Sequence, residues 1–578
     1  MERGVDARDR LTLERAIPYL LAVAAMLAFL PALQADFVWD DGENLVDNER
    51  YRGFSREHLA WMFGSFHLGH YHPLTWLSFA FDHALWGMEP FGYHLTNLVL
   101  HGCNAAVFYV LLRRLLGWIH GGAGRRRTWA AAGGALLFAL HPLRVESVAW
   151  VTERRDLLSG LLLLLTVELY LRAHGPGRSP LARRGWLLGA LGAFGCSLLA
   201  KAWGMTLPVV LLLLDVYPLR RWPPAPPRLP AALRLVREKL PFLALALATA
   251  ILAVLAQREE GAAVSLARHS LLDRCAQAFY GISWYPLKTL LPLDLCPLHS
   301  RRMFAGWSDP LTWLAAAGVT GVTLALVLLR RRAPGPLVAW LAYLAVIAPV
   351  LGFFQSGDQY VADRYSYLAC LPFAVLAASG LERLRWGGVT PAAAVAVLLL
   401  SLGALTFRQA GVWTDKLTLW THVLEHYPGE PLAHYNLAHA WDERGEPAKA
   451  AAAYERSAEA NPLFFAAWFN LGLLRQRMGD DRGALEAMGR ARELEPENPE
   501  TVYTLALASY GLGRDADAVA HCLETLAIDP GFAHAEVLMA EALFRQGDRE
   551  GGLDALRRAL EQDPGNERAR RRLIDELR

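Results

Sequence analysis

The sequence predicts an all-α protein in two parts, a polytopic membrane bundle followed by a soluble helical solenoid. Three observations predict it. Apolar stretches fill the chain to about Gln409, and the whole is 54% apolar with only 20% charged residues, a balance that favours a membrane protein. Arginine clusters punctuate these stretches, as expected of loops held in the cytoplasm. Beyond them Pro428, Pro462, Pro496, Pro530 and Pro564 recur every 34 residues, a spacing typical of stacked helix pairs.

Taken in order, the first span is expected at residues 17–35. Arg8, Arg10 and Arg15 before it predict a retained, cytoplasm-anchored start. A polar and aromatic loop, 36–90, follows. Within it residues 73–86 are apolar but carry Asp82 and His83, which predicts an interfacial helix. Further spans are expected at 93–112, 129–140, 157–171, 186–199, 205–216, 240–255, 311–329, 337–353, 367–380 and 392–405, about eleven in all. Arg113, Arg114 and Arg125–Arg127, then Arg183 with Arg184, Arg220 with Arg221, Arg330–Arg332 and Arg383 with Arg385 orient them. Placing these clusters inside leaves Asp40 and Asp41 outside and makes 271–291 a re-entrant or surface-lying segment. It also puts the C-terminal region outside.

The predicted organisation is a membrane domain over 1–411, a linker helix over 412–429 and a repeat domain over 430–578. The four repeats are 430–463, 464–497, 498–531 and 532–565, closed by a capping helix. Gly445, Gly479, Gly513 and Gly547 keep the 34-residue period, and Tyr435-Asn436-Leu437-Ala438 recurs as Phe469-Asn470-Leu471-Gly472. This is the tetratricopeptide repeat period. Small residues let paired helices approach, Gly ends the first helix, and Pro marks the turn between repeats. Such a solenoid offers a concave groove for a peptide and carries no catalytic residues of its own.

A net charge of +2 argues against a nucleic-acid binder. The cysteines show no CxxC spacing; Cys103, Cys196 and Cys370 fall in apolar stretches and read as packing residues, while Cys275 and Cys296 flank one segment. A Ser-His-Asp triad, a P-loop and a GxGxxG fingerprint are absent, which removes soluble hydrolase, ATPase and Rossmann readings.

Ionisable residues at a membrane edge are functional candidates. The outward set is dense. It contains Asp40 and Asp41, the run His67–His72, and His141-Pro142-Leu143-Arg144-Val145-Glu146. It continues with Glu153-Arg154-Arg155-Asp156, Lys201, and Gln359 through Asp363, Arg364 and Tyr365. From spacing alone the acidic pair is as much a helix cap as a base, and the arginines as readily reach lipid headgroups as a bound phosphate. The three histidines leave room for a divalent metal without matching a standard site.

Phe37–Asp41, Tyr71-His72-Pro73-Leu74-Thr75-Trp76 and Pro90-Phe91-Gly92-Tyr93-His94 resemble the transmembrane O-mannosyltransferases that carry tetratricopeptide repeats. His141-Pro142…Glu146…Arg154…Asp156 and Ala362-Asp363-Arg364-Tyr365 extend the likeness over nearly the whole chain. The eukaryotic members of that family tend to have Arg where His72 stands, Glu where Ala202 stands and often Glu where Asp363 stands. The resemblance implies a GT-C glycosyltransferase fold and transfer of a sugar, mannose or another hexose, from a polyprenyl-phosphate carrier to an acceptor at the outer face. Asp40 and Asp41 would activate the acceptor, Asp40 being the nearer match to the base. Arg154 and Arg364, with Lys201, would hold the carrier phosphate. His72, His141, Arg144, Glu146, Asp156, Gln359, Asp363 and Tyr365 would complete the substrate site.

Composition and the short repeat tail suggest a bacterial member of the inner membrane with an undecaprenyl-type carrier. The repeats would dock a protein acceptor. The competing reading is a non-catalytic membrane scaffold whose repeats assemble envelope proteins. A lipid-linked sugar transporter ranks below both, because the spans show no inverted repeat.

Overall fold

The structure, a computed structural model, describes residues 2–121, 124–222, 228–259, 270–300, 304–353, 359–384 and 390–578. Arg385, used above for orientation, lies outside them. The described residues are helices and turns, with one isolated bridge between Ser300 and Gln359. The chain divides into two units, Met1–Leu419 and Trp420–Arg578.

In the first unit, the long helix Pro90–His120 is central. It packs against Glu2–Ala28, Arg125–Ala139 and Arg154–Ala173, and small residues allow the close approach. A side chain at Gly102 would meet the backbone of Ala22 at 3.1 Å, and one at Gly134 would meet Ala378 at 2.7 Å. Arg154–Ala173 pairs in turn with Pro180–Ala200. Leu271–Leu290 begins at a reciprocal cap between Ser270 and Asp273 and packs on Pro310–Leu329. A helix covers the residues 73–86, Pro73–Trp86, with proline at its first position.

Four described helices are long and apolar enough to cross a membrane: Pro90–His120, Ala232–Glu259, Pro310–Leu329 and Pro391–Trp413. A fifth counts if the broken pair Asp363–Ala369 and Leu371–Arg383, bent by 54°, is one span. The span expected at 367–380 is therefore not a straight helix. Pro372 has no N–H to give and its ring crowds the preceding turn, so the helix breaks beside it. Other expected spans form shorter apolar helices, Ala202–Val216 and Pro334–Val350. Arg154–Ala173 instead carries Arg154, Arg155 and Asp156 in its first turn and Glu168 and Arg172 near its end. Leu240, Leu247, Ile251, Leu314, Leu324 and Leu328 are exposed along the apolar helices, as lipid-facing side chains are. Cys103 and Cys196, expected to pack inside, are exposed, whereas Cys370 is buried.

The second unit is a tetratricopeptide solenoid. Its helix pairs are Pro431–Glu443 with Pro447–Ala460, Phe465–Arg477 with Asp481–Leu494, Pro499–Gly511 with Asp515–Ile528, and Ala533–Gln546 with Arg549–Gln562. Glu567–Leu577 caps the stack. Gly445, Gly479, Gly513 and Gly547 have φ of 72°, 77°, 73° and 84°. That left-handed conformation is cheap only without a Cβ, so each glycine both ends one helix and turns the chain into the next. Gly472 serves packing instead: a Cβ there would meet Met488 at 2.7 Å.

Candidate functional site

The site is built where the first loop meets the start of Arg154–Ala173. Trp39 holds a left-handed backbone, φ 55°, which costs a bulky residue about 1–3 kcal/mol and persists only where its surroundings impose it. Its ring stacks on Trp150 at 4.8 Å and lies 6.5 Å from Trp413. The two carboxylates that follow have separate fates. Asp41 is fully buried. Its Oδ1 accepts from the Thr152 N–H at 2.8 Å and from the Thr152 hydroxyl at 2.6 Å, and its Oδ2 accepts from the Val38 N–H at 3.0 Å. Asp41 thus clamps the loop to residues 151–153. Asp40 is half-buried, and its Oδ1 is enclosed with no hydrogen-bond partner.

Burial lifts Asp40 from an ordinary 3.8 to about 6, with Arg155 pulling the other way. Burial, and then the charge of Asp40, lifts Asp41 to about 7. Near neutral pH the pair therefore carries less than two full charges.

Asp40 lies within electrostatic reach of Arg155, Glu153 and Arg364, which belong to one network of opposite charges. Arg155 donates to Glu153 Oε1 at 2.7 Å. Lys201 bridges Glu153 Oε2 at 2.8 Å and Asp156 Oδ1 at 2.7 Å. Arg364 pairs with Glu146 through its side chain, gives its backbone N–H to the same carboxylate at 2.8 Å, and reaches Glu153 at 3.3 Å. Ser147 donates to Asp156 at 3.0 Å. Burial alone would raise Glu153; Arg155, then Lys201 and Arg364, instead hold it well below the usual range. Glu146 is raised by burial despite Arg364. Arg364 also lies over the rings of Trp150 and Tyr365, and Lys201 over Trp203.

A cavity of about 170 Å³ opens beside this network. Its lining includes His70, His72, Arg155, Lys201, Trp203 and Tyr365. His72 stacks on Trp76 at 4.8 Å, and burial, then the charge of Arg155, keeps its imidazole neutral. Trp203 is shared with a second, largely apolar groove of about 490 Å³, lined by Phe108, Leu111, Leu163, Leu207, Ala342, Leu368 and Leu371 among others, with Arg332 and Arg383 also on its wall.

Arg154 stands apart from this cavity. It is wholly buried and ion-pairs with Asp82, donates to Asn97 Oδ1 at 2.8 Å and to the Tyr93 carbonyl at 2.7 Å, and covers Phe79. Every one of these partners ties Arg154 to the helices Pro73–Trp86 and Pro90–His120. Arg155 lines the cavity instead. Adjacent residues on a helix point about 100° apart, so one of the two had to face away, and only the partners from distant segments decide which.

His141 and Arg144 also lie apart from the cavity. His141 joins the Thr289 carbonyl and the Leu143 N–H, and Arg144 donates to Ser366 at 3.0 Å. Both brace the segment that presents Glu146. Gln359 pairs through its backbone with Ser300, and Asp363 is buried 3.8 Å from His299. The sequence reasoning named Glu153 and Arg155 among the outward charges without giving either a role, and it missed Thr152 and the tryptophan group. Among the described residues no three His, Cys, Asp or Glu side chains converge as a metal site.

This defines the class: an all-α protein with a charged cavity and adjoining apolar groove in its first unit and a tetratricopeptide solenoid in its second. Tetratricopeptide repeat family models match residues 533–575, and 404–463, 435–475 and 469–531. Protein O-mannosyl-transferase TMTC2 of Homo sapiens is 33% identical over 221 residues, 36% of this chain and 24% of that protein. TMTC1 of Homo sapiens is 25% identical over 526 residues, 79% of this chain and 56% of its own length. Tmtc3 of Drosophila melanogaster is 24% identical over 554 residues, 82% and 58% respectively. Over most of its length, then, the chain is homologous to proteins named protein O-mannosyl-transferases. The match spans a quarter to little more than half of those relatives.

Proposed function

We propose that the protein is an integral-membrane glycosyltransferase. It moves mannose or another hexose from a polyprenyl-phosphate carrier to a hydroxyl acceptor, a protein, at the extracytoplasmic face. The observation that carries this reading is Asp40, whose enclosed Oδ1 has no hydrogen-bond partner and which lies within electrostatic reach of Arg155 and Arg364; Arg155, with Lys201, lines a cavity that shares Trp203 with an apolar groove.

Each part has a task. An acceptor hydroxyl is a weak nucleophile, and Asp40 takes its proton as the new glycosidic bond forms. Asp41 holds the loop. The lipid phosphate leaves with negative charge, which Arg155, Lys201 and Arg364 meet with charge-assisted hydrogen bonds, so no separate acid is needed. The groove beyond Trp203 takes the hydrocarbon tail of the carrier. The repeats raise the local concentration of a protein acceptor.

Purified protein incubated with labelled polyprenyl-phosphate mannose is expected to label a protein acceptor, and Asp40→Asn to abolish the label while leaving folding and insertion intact. A variant that keeps its partners with no transfer by the wild type supports a membrane scaffold instead.

A further inference from the structure

The mechanism above uses Asp40 and the cations but gives no task to the three tryptophans beside them. Trp39, Trp150 and Trp413 form one aromatic group. Trp39 and Trp150 stack at 4.8 Å with planes 12° apart, and Trp413 lies 5.7 Å from Trp150 and 6.5 Å from Trp39, at 26° and 18°. Trp150 and Trp413 are almost wholly buried. The segments they come from are far apart in sequence. Trp39 immediately precedes the base. Trp150 immediately precedes residues 151–153, which hold Asp41 through Thr152 and the cations through Glu153, and its ring carries the Arg364 guanidinium at 5.4 Å. Trp413 closes the turn Gly411–Trp413 at the end of the helix Thr390–Ala410. The next residue, Thr414, accepts a backbone hydrogen bond from Asp36 at 2.9 Å.

One indole thus packs against both halves of the site. The left-handed turn at Trp39 sends Asp40 and Asp41 toward different partners, and a bulky side chain keeps that conformation only where packing enforces it. We propose that Trp413 is a positioning residue for the transfer, setting through Trp39 and Trp150 where the Asp40 carboxylate and the Arg364 guanidinium stand. For its kinetic consequence the inference rests on the transferase reading. The segment that leads into the repeat unit is by this account part of the reaction site. Removing the indole leaves a void beside both segments, and small displacements of reacting groups are expensive in rate.

The test compares full-length wild type, Trp413→Ala and Trp413→Phe. In Trp413→Ala, kcat is expected to fall about tenfold, with the donor KM changed less than about twofold. The acid limb of its pH–rate profile is expected to move, because Asp40 no longer sits in the same surroundings. Trp413→Phe, which restores an aromatic face, is expected to recover most of the rate. A folded Trp413→Ala with kcat within about twofold of wild type and an unmoved acid limb overturns the proposal.

A second readout needs no turnover. The near-UV circular dichroism difference between each protein and its Asp40→Asn counterpart, followed from about pH 5 to pH 8, reports protonation of Asp40 beside the indoles. Its midpoint is expected to differ between wild type and Trp413→Leu, which fills part of the void without an aromatic face, and to return toward wild type in Trp413→Phe; identical midpoints in wild type and Trp413→Leu overturn the positioning role even if Trp413→Ala fails to fold. A shifted midpoint in a protein that transfers no sugar upholds the placement and overturns the transferase reading alone.

Discussion

Two clusters of charge sit toward the two ends of the helix Arg154–Ala173, about 22 Å apart from Arg155 to Tyr170 at 1.5 Å per residue, and they are built differently. At the far end Asp215 and Glu238 are saturated. Asp215 takes hydrogen bonds from Tyr170, Arg221 and Lys239, each at 2.7 Å. Glu238 takes them from Arg183 at 2.5 Å, from Arg221 and Lys239 at 2.9 Å, and from Tyr170 at 3.1 Å. Asp215 and Lys239 are wholly buried. At the near end Asp40 keeps an enclosed oxygen without a partner, and the carboxyls of Asp40, Asp41, Glu146, Glu153 and Asp156 outnumber Arg155, Lys201 and Arg364. The far cluster has the form of a clamp, complete in itself. The near cluster is incomplete, and incompleteness beside a cavity is what a ligand or a transferred proton requires.

The comparison breaks if the two clusters respond alike to loss of a carboxylate. Asp40→Asn is expected to reduce transfer by about a thousandfold or more, since the proposed base is lost, with no loss of thermal stability. Asp215→Asn is expected to do the reverse. Lys239 and Arg221 would be left to share Glu238 as their one remaining carboxylate, and the undercompensated buried charge is expected to cost up to about 3–5 kcal/mol, while the folded fraction keeps its turnover. Thermal unfolding and transfer assays on the same preparations check both.

Asp41 falls between the two clusters and sharpens the contrast. Asp41→Ala leaves the Thr152 N–H and hydroxyl and the Val38 N–H buried without an acceptor, at about 1–3 kcal/mol for the first group orphaned. It is therefore expected to lower both stability and rate. The adjacent arginines give a smaller split. Arg155→Ala is expected to raise the donor KM by about tenfold, the loss of one charge-assisted contact. Arg154→Ala is expected to destabilise, because Asp82 would stay buried and unpaired. Steady-state kinetics at several donor concentrations and unfolding midpoints separate them.

How much of this was legible in the sequence follows from range. The repeat unit was legible because proline, glycine and alanine recur at positions whose geometry is local; the positive φ of Gly445 and its successors is that geometry. The apolar helices were legible in place but not in extent, because caps such as Ser270 with Asp273 and breaks such as Pro372 decide the ends. The acidic pair, Lys201, Glu146 and Arg364 could be singled out as charges at a membrane edge. Which arginine of Arg154 and Arg155 faces the cavity could not, since Asp82 and Asn97 lie far away in the chain. The tryptophan group was hidden for the same reason.

The smallest expected effect concerns pH, and it separates binding from chemistry. On the proposed reading, Asp40 takes the acceptor proton only when it is ionised. With its carboxyl raised to about 6, kcat should hold above that value and fall about tenfold per unit below it. Donor binding should move the other way. The surplus carboxylates compete with a phosphate for Arg155, Lys201 and Arg364, and Glu146, already raised by burial, gives up its hold on Arg364 when protonated. The donor KM should therefore decrease as pH falls from about 7.5 to 6, giving a bell-shaped kcat/KM.

Stability carries the same signature. A carboxyl raised in the folded state holds its proton more tightly there than in the unfolded chain. The contribution of Asp40 and Asp41 thus declines as pH rises from about 4 through 6 and 7. The unfolding midpoint should be higher at pH 5.5 than at 7.5, and Asp40→Asn should flatten that slope. A far-end variant such as Asp215→Asn should leave the slope as it is, because the charges there lie apart from the Asp40–Asp41 pair.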